Sequence, residues 1–361
     1  EDERSGHPAQ TRFQSFESWS ESPGKGLDSD TVRALLLESG MWSALRARPF
    51  ERVPRADSVP EAILVSVTDS HPLAPDPEQV LAGRLEDFDL GLTALATLTS
   101  GPVYLCLNQG SDLHRALTAP VRVEHFRGPH PAGTVGVQIH RLHPVGWGSS
   151  VWHAGYQDVA SIGTLVRTGT LDVNRVVSIA GPGLARPRLV STRVGACVPD
   201  LAPDEVFDDS VRWISGSVFS GKACMSPALR YMGRYDRQVT VVPEGGDRTF
   251  LGWAFPEFRR FTVLRGPLRG RFPSRGPFTT DRHGSSRAII PFGFFERVFP
   301  FDLEPGLLLR ALAARDLERA QELGCLELAE EDLALCTFVD PGKADFGPLL
   351  RTALSALEDG S

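Results

Sequence analysis

The sequence has few of the residues that build metal centres and disulfide scaffolds. Only five of its 361 residues are cysteines, and no two of them form a C-x-x-C pair. An odd number of scattered cysteines indicates a reducing compartment rather than a disulfide framework or a zinc or iron–sulfur carrier. Basic residues are also in deficit, 38 against 45 acidic ones, which gives a formal charge of −7. A general nucleic-acid binder needs a basic surface, so this balance predicts no nucleic-acid partner.

Signals for export and membrane insertion are missing as well. No apolar segment follows the charged first residues, so the sequence predicts no signal peptide. The uncharged stretch 90–111 could span a bilayer by its length. Its threonines and the break at Ser100-Gly101-Pro102 instead predict a helix, a turn and a strand within a folded core. We therefore expect a soluble protein of the cytoplasm.

Motifs for nucleotide binding and nucleophilic catalysis are absent or incomplete. There is no G-x-S-x-G elbow, and no G-x-G-x-x-G run lies between a strand and a helix. The run GSVFSGK at 216–222 fits a phosphate-binding loop, but Ala223 replaces the Ser or Thr that ligates Mg²⁺. His140 and His143 resemble a metal pair, yet no acidic ligand pattern accompanies them. We interpret the run as a structural turn and the two histidines as hydrogen-bonded structural residues.

Strand and helix patterns alternate over the first half of the chain. The predicted elements are strand 62–69, helix 78–99, strand 103–107, helix 111–118, strand 121–126 and helix 154–168. This alternation predicts a parallel sheet with helices on both faces. Asp30 is the expected N-cap of the first helix, and Asp316 that of a helix near the carboxyl end. Between them, from Asn174, short strands with turn signals predict a separate β-rich domain.

These patterns divide the chain into five segments. They are a linker or disordered segment at 1–27, an α/β domain at 28–168, a β-rich domain at 169–254, an Arg- and Phe-rich segment at 255–299 and a helical domain at 300–361. The fourth segment holds nine arginines and nine phenylalanines. Interfaces are enriched in both residue types, whereas a core does not tolerate so many charges. We predict a docking segment there, with contacts through Arg259, Arg260, Arg269 and Arg271.

Eight runs of the sequence resemble the A subunit of the sodium-translocating NADH:quinone oxidoreductase, a bacterial respiratory complex. The runs are LLLESGMWSALRARPFERVP (35–54), PHPAGTVGVQIHRLHPV (129–145), RVVSIAGP (175–182), ISGSVFSG (214–221), DRQVTVVPEGG (236–246), ERVFPFD (296–302), LGCLELAEEDLALCTFVDPGK (323–343) and GPLLR (347–351). They lie in the order found in that family. Nothing in the sequence matches the small lipoyl-like domain with which the family opens.

The resemblance implies an α/β plus α+β fold. Its parts are a Rossmann-like parallel-sheet domain related to the flavoprotein subunit of complex I, a small β-grasp-like domain of the SLBB type and a C-terminal helical domain. Those relatives hold FMN on a glycine-rich loop, but the equivalent run 38–46 contains Met41 and Trp42, which obstruct a flavin phosphate. Cys325 and Cys336 are too few for an iron–sulfur cluster. We expect no cofactor in this chain, with flavins and iron–sulfur centres on other subunits.

The resemblance also implies a peripheral subunit on the cytoplasmic face of the bacterial inner membrane. Such a subunit binds the membrane subunits and supports electron transfer from NADH to ubiquinone coupled to Na⁺ export, without independent activity. Aromatic and apolar walls with one or two donors suit a quinone, so we predict a ubiquinone site at Trp42, Arg46, Arg48 and Phe50. The alternative places Trp42 and Phe50 in the core and the arginines at the surface. For the whole chain, the alternatives are a purely structural docking subunit or a flavin-binding NADH dehydrogenase subunit.

Overall fold

The computed structural model of the chain describes residues 16–19, 27–203, 205–207, 210–245, 278–282, 284–290 and 292–360. The first of two sheets in these residues comprises β1 (Arg46–Arg48), β2 (Ala62–Val67), β3 (Val103–Asn108), β4 (Arg122–Phe126) and β5 (Val151–Gly155). Its strand order is β1-β5-β2-β3-β4. Strands β2 to β5 run parallel, and β1 pairs antiparallel with β5 at the edge.

Helices cover both faces of this sheet. They are α1 (Ser29–Glu38), α2 (Pro77–Leu81), α3 (Leu85–Ala96), α4 (Val135–Leu142) and α5 (Tyr156–Thr168). Alternate residues of β2 face opposite layers: Ile63 and Val65 pack in the core that contains α3 and α5, whereas Ala62 and Leu64 pack with Ile139 of α4. All six residues of β2 are buried, as expected for a strand covered on both sides. The predicted α/β arrangement is confirmed.

Several local boundaries differ from the sequence-based expectations. Helix α1 is capped by Asp28, whose carboxylate accepts the Thr31 amide at 2.9 Å, so Asp30 lies inside the first turn. The predicted helix 78–99 is two helices, because Gly83 with φ +83° follows the end of α2. The predicted helix 111–118 is a short 3₁₀ turn, and helix α4 was not predicted at all.

The second sheet follows α5 and contains parallel and antiparallel pairs. Its strands are β6 (Asn174–Ala180), β7 (Arg188–Arg193), β8 (Val211–Ser215), β9 (Lys222–Ala223) and β10 (Gln238–Pro243). Their order is β7-β6-β10-β8-β9, with β10 parallel to β6 and the other pairs antiparallel. One core holds Val177 and Ile179 of β6 together with Val239 and Val241 of β10. The predicted change to a β-rich texture after the first domain is confirmed.

The carboxyl end of the chain is helical. It contains α6 (Pro305–Ala314), α7 (Leu317–Glu322), α8 (Ala334–Val339) and α9 (Phe346–Asp359). The predicted cap Asp316 is confirmed, since its carboxylate accepts the Arg319 amide at 3.0 Å. Phe295 and Phe299, which the sequence assigns to the docking segment, are buried in this helical core. Arg259, Arg260, Arg269 and Arg271 lie outside the described residues.

Part of the predicted amino-terminal linker packs on the first domain. The indole N–H of Trp19 donates to the Val166 carbonyl at 3.0 Å, and the Glu38 carboxylate accepts the amides of Glu17 and Ser18. The expectation of a linker is therefore wrong for residues 16–19, because aromatic burial and hydrogen bonds hold them in place. Among the described helices, none has the length and apolar character needed to cross a bilayer.

Candidate functional site

The carboxyl ends of the neighbouring strands β2 and β5 lie where the strand order of the first sheet reverses. The chain runs from β2 outward to β3 and β4, and then places β5 on the other side of β2. In open α/β sheets, ligands bind in the crevice beside such a switch point. A cavity of about 1010 Å³ opens there, lined from this sheet by Ser66, Asp69, Ala154 and Gly155. The candidate site therefore occupies the position where this class of sheet binds its ligands.

Two other parts of the chain complete the cavity. The second sheet contributes the turn 216–222 and the segment 233–238, which leads into β10. The helical carboxyl end contributes residues that include Glu330, Glu331 and Phe338. The cavity exists only because all three parts of the fold meet at this point.

Six arginines line the cavity, and a carboxylate faces each of them. The ion pairs are Arg46 and Arg48 with Glu51, Arg175 and Arg234 with Asp158, Arg237 with Asp69, and Arg351 with Glu330. A phosphate group is bound by cations or backbone amides whose charge is not already compensated. Every one of these six guanidinium groups thus has a carboxylate partner, although Glu51 and Asp158 are each shared by two arginines, so none of the six is left without a partner for a phosphate to replace.

Two of the four residues predicted to bind quinone line this cavity. Arg46 keeps 22% of its side chain exposed, pairs with Glu51 at 3.4 Å and lies over the ring of Tyr235 at 4.4 Å. Arg48 is 2% exposed and is bound by Glu51 and, at 3.1 Å, by Asp332. The alternative that places both arginines at the surface is therefore wrong for Arg48, which two carboxylates hold inside the protein.

The other two predicted residues, Trp42 and Phe50, do not line the cavity. Trp42 is 6% exposed, its ring meets Trp152 edge-on at 5.4 Å, and its indole N–H donates to the Pro54 carbonyl at 2.8 Å. Phe50 meets Trp147 edge-on at 6.3 Å and packs against the core of the C-terminal helices. The four residues do not form one site, because both aromatic rings pack against hydrophobic cores.

Two phenylalanines that sequence reasoning missed form an aromatic wall in the cavity. Phe219 and Phe338 meet edge-to-face with their ring centroids 5.6 Å apart, and both line the cavity. His130 stacks almost parallel on Phe219 at 5.0 Å. Phe219 lies in the turn 216–222 and Phe338 in α8, so no local spacing in the sequence marks them as neighbours.

A chain of charged groups lies beside this aromatic wall. Arg237 pairs with Asp69 at 3.1 Å, the other oxygen of Asp69 lies 2.7 Å from Nδ1 of His71, and Nε2 of His71 pairs with Glu331. These four residues, which we call the charge chain, come from all three parts of the fold and line the cavity. The ring of His71 lies 4.8 Å from that of His130, so the charge chain and the aromatic wall are continuous.

Burial and charge set the protonation of the charge chain. Burial lowers the pKa of His71, but the carboxylates of Glu331 and Asp69 outweigh it and raise the pKa to about 10. Burial raises the pKa of Asp69, but Arg237 and His71 outweigh it and lower the pKa to about 2. Burial and the nearby charge of His71 lower the pKa of His130 to about 4. At neutral pH His71 is therefore an imidazolium, and His130 is neutral.

Comparison with known proteins decides the family. The model described as NqrA second alpha/beta domain matches residues 27–171, and the one described as NQRA C-terminal domain matches 176–226. The A subunit of the Na(+)-translocating NADH-quinone reductase of Vibrio anguillarum is 47% identical over 344 residues, covering 95% of this chain and 77% of that protein. The protein of the same name from Rhodopirellula baltica is 48% identical over 326 residues, covering 90% and 71%. The chain belongs to the NqrA family.

Membership of the NqrA family confirms the resemblance found in the sequence. The chain is a subunit of a complex that translocates Na⁺ and reduces quinone with NADH, and other subunits of that complex are its partners. Among solved structures, a chain of an NAD⁺-reducing [NiFe]-hydrogenase in the H2-reduced state is 14% identical with a TM-score of 0.45, covering 60% of this chain and 47% of that one. A similarity this low carries no functional argument.

Several backbone amides of the turn 216–222 donate hydrogen bonds to groups within the same turn. The Ser217 hydroxyl accepts the amides of Phe219 and Ser220, both at 3.1 Å, and the Gly221 amide donates to the Ser217 carbonyl at 2.8 Å. A phosphate cradle needs such amides unpaired. The geometry therefore agrees with a structural turn at this place.

The two histidines with metal-like spacing bind separate partners. Nδ1 of His140 lies 2.6 Å from the Glu327 carboxylate, and its Nε2 accepts the Asp302 amide at 2.9 Å. His143 lies 3.1 Å from Glu61. The interpretation of both as hydrogen-bonded structural residues is confirmed.

The run 38–46, which contains Met41 and Trp42, includes a buried turn. Gly40, with φ +77°, leads into the 3₁₀ helix Met41–Ala44. Met41 and Trp42 are buried in the core of the first domain. The Tyr235 hydroxyl donates to the Ser43 carbonyl at 2.8 Å, which joins this turn to the second sheet.

Proposed function

We propose that this chain is a peripheral subunit on the cytoplasmic face of the membrane and binds the headgroup of ubiquinone in the cavity at the switch point. In that position it supports electron transfer from NADH to ubiquinone coupled to Na⁺ export, while flavins and iron–sulfur centres remain on other subunits. The first domain is Rossmann-like and related to the flavoprotein subunit of complex I. The observation that carries the proposal is a cavity with an aromatic wall and compensated charges at the site where that fold binds its ligand.

The chemistry of the cavity suits a neutral aromatic ligand. Ligand sites of this kind combine apolar and aromatic surface with a few polar groups that orient the ligand. Phe219 and Phe338 offer ring faces and edges, and such ring pairs favour stacked or edge-on contacts. Arg46 and Lys222 line the same cavity and carry N–H donors for the quinone carbonyl oxygens. A quinone headgroup is neutral, so its binding does not require an arginine that lacks a carboxylate partner.

The same features disfavour a nucleotide or flavin. The arginines of the cavity already have carboxylate partners, and the amides of Phe219, Ser220 and Gly221 bond within the turn 216–222. Met41 and Trp42 fill the space of the lost glycine-rich loop. Burial raises the pKa of Cys325 to about 11 and that of Cys336 to about 12, which favours protonated thiols over iron-binding thiolates.

Titration of the chain with a water-soluble, short-chain ubiquinone tests the proposal. We expect binding by calorimetry, and we expect Phe219→Ala to weaken it by about tenfold, since an aromatic contact and its buried area contribute about 1.4 kcal/mol. Phe292→Ala is the matched control, because Phe292 is exposed and does not line the cavity. Absence of binding, or equal losses in both variants, would favour the purely structural docking subunit.

We further propose that the Arg- and Phe-rich segment 255–299 docks to the membrane subunits. Its composition supports this role, with Arg259, Arg260, Arg269 and Arg271 as the contacts. Phe295 and Phe299 are excluded from the docking surface because they are buried in the C-terminal core.

A further inference from the structure

The aromatic wall and the charge chain share one side of the C-terminal segment. Glu331, Ala334 and Phe338 are three and four residues apart, and all three line the cavity. A ring bound at Phe338 and Phe219 would therefore share the cavity with the Glu331 carboxylate. Glu331 keeps 32% of its side chain exposed, whereas its partner His71 is 8% exposed. The carboxylate thus faces both the buried imidazolium and the cavity.

We propose that Glu331 relays a proton from the His71 imidazolium to an oxygen of the bound quinone during its reduction. This inference rests on the proposed function, because it requires the quinone headgroup to bind at the aromatic wall. In this proposal Glu331 is the catalytic residue, since it lines the cavity and hands the proton to the ligand. His71 and Asp69 are positioning residues that act through it.

The proton transfer balances with the electrons of the complex. The quinone accepts two electrons that the complex takes from NADH, and negative charge develops on its two oxygens. The Glu331 carboxylate, ionised at rest, takes the proton from Nε2 of the His71 imidazolium as negative charge develops on the quinone. The carboxyl group so formed gives this proton to one quinone oxygen, where an O–H bond forms, and Glu331 returns to the carboxylate. The imidazole recovers its proton from water at the cavity mouth. Water also supplies the proton for the second quinone oxygen, and the product is the hydroquinone.

The surroundings of His71 keep this proton available. Asp69 holds Nδ1, Glu331 pairs with Nε2, and Arg237 fixes Asp69 from the second sheet. Arg237 also lies over the ring of Tyr156 at 5.4 Å, and His130, whose pKa is lowered, adds no second positive charge at neutral pH. Burial raises the pKa of Glu331, but the charge of His71 outweighs it, so the carboxyl group is ionised until negative charge appears on the ligand.

The experiment uses the assembled complex with variants of this chain. We expect Glu331→Gln to lower kcat for quinone reduction by about 100-fold, the range for loss of a general acid, while short-chain quinone still binds the chain. We expect His71→Asn to move the alkaline limb of the kcat–pH profile to lower pH by about one unit or more, because the imidazolium that stores the proton is gone. Glu318→Gln is the matched control, an exposed carboxylate in α7 outside the cavity.

The outcomes separate this inference from the proposed function. If the unmodified chain fails to bind quinone, the proposed function is wrong, and the inference with it. If quinone binds and Glu331→Gln keeps its kcat, only the inference is overturned. Should Glu331→Gln prevent assembly, the pH profile of His71→Asn decides, and an unchanged alkaline limb with normal quinone affinity overturns the inference.

Discussion

The carboxylate of Asp332, in the C-terminal part of the chain, packs so closely on Gly136 of the first domain that no side chain fits at position 136. A Cβ added to Gly136 of α4 would lie 2.0 Å from Oδ1 of Asp332, whereas ordinary contacts begin at 3.4 Å. Gly136→Ala therefore forces Asp332 back by about 1.4 Å. That movement lengthens two bonds of Asp332, to Arg48 at 3.1 Å and to the Ala329 amide at 2.8 Å.

The loss of stability comes from Arg48, a buried arginine that would keep only one of its two carboxylate partners. Removing one partner of a buried ion pair costs about 3–5 kcal/mol. Burial raises the pKa of Asp332 to about 6 in spite of Arg48, so this carboxylate is poorly solvated. We therefore expect the lower end, a loss of about 3 kcal/mol in the free energy of unfolding. Gly146→Ala is the control, because an added Cβ there meets nothing within 4 Å.

The assay is urea unfolding combined with hydrogen exchange over residues 326–334, since a chain with several domains need not unfold in one step. The double variant Gly136→Ala with Asp332→Ala isolates the contact. Its cost should fall short of the summed single costs by about 2 kcal/mol, as for residues in direct contact. Equal costs for Gly136→Ala and Gly146→Ala, or strict additivity in the double variant, would refute the reasoning.

Three further predictions concern the charge chain, the turn and the docking segment. The pKa of His71 rises from 6.5 to about 10 on folding, so the imidazolium stabilises the folded protein fully below pH 6.5. This contribution is lost as the pH rises to 10. His71→Asn should therefore flatten the fall of the free energy of unfolding between these two pH values, as measured by urea unfolding across the range. Calorimetry should show no binding of ATP, GTP or NADH, and micromolar binding that Lys222→Ala removes would contradict the structural turn at 216–222. Charge reversal of the docking segment should release the chain from the membrane subunits in co-purification without lowering its melting temperature. Retained assembly with an unchanged melting temperature would count against docking. The residues to be reversed together are Arg259, Arg260, Arg269 and Arg271.

The first sheet was predictable because its signals are local. The run 62–69 is β-branched and continuous, and it forms the fully buried strand β2. Helix α4 escaped prediction because glycines and the flanking Pro131 and Pro144 mask a short run whose apolar side chains Val137 and Ile139 face two different cores. Local propensity therefore identified the continuous apolar strand and missed a short helix whose signal is interrupted by glycines.

The candidate site was predictable only in part, because its contacts join distant segments. Of the four residues predicted to bind quinone, Arg46 and Arg48 line the cavity, and their role in binding quinone stays a prediction. The aromatic wall and the charge chain were not predicted, because their members meet only after all three parts of the fold have packed together. Arg48 and Asp332, which are 284 residues apart, show the same limit.

If the proposed function holds, the ion pairs of the cavity help to account for a neutral ligand in a crevice at the switch point of a parallel sheet. A parallel sheet presents the switch point whatever the side chains are, so the chemistry of the site is set by what the neighbouring parts add. Here the C-terminal helices add carboxylates: Glu330 meets Arg351, Glu331 meets His71 and Asp332 meets Arg48. These three consecutive residues partner two of the six cavity arginines and His71, and Phe338 of the same segment adds aromatic surface. Under the proposed function, this one short segment supplies both carboxylate partners and ring surface for a neutral ligand.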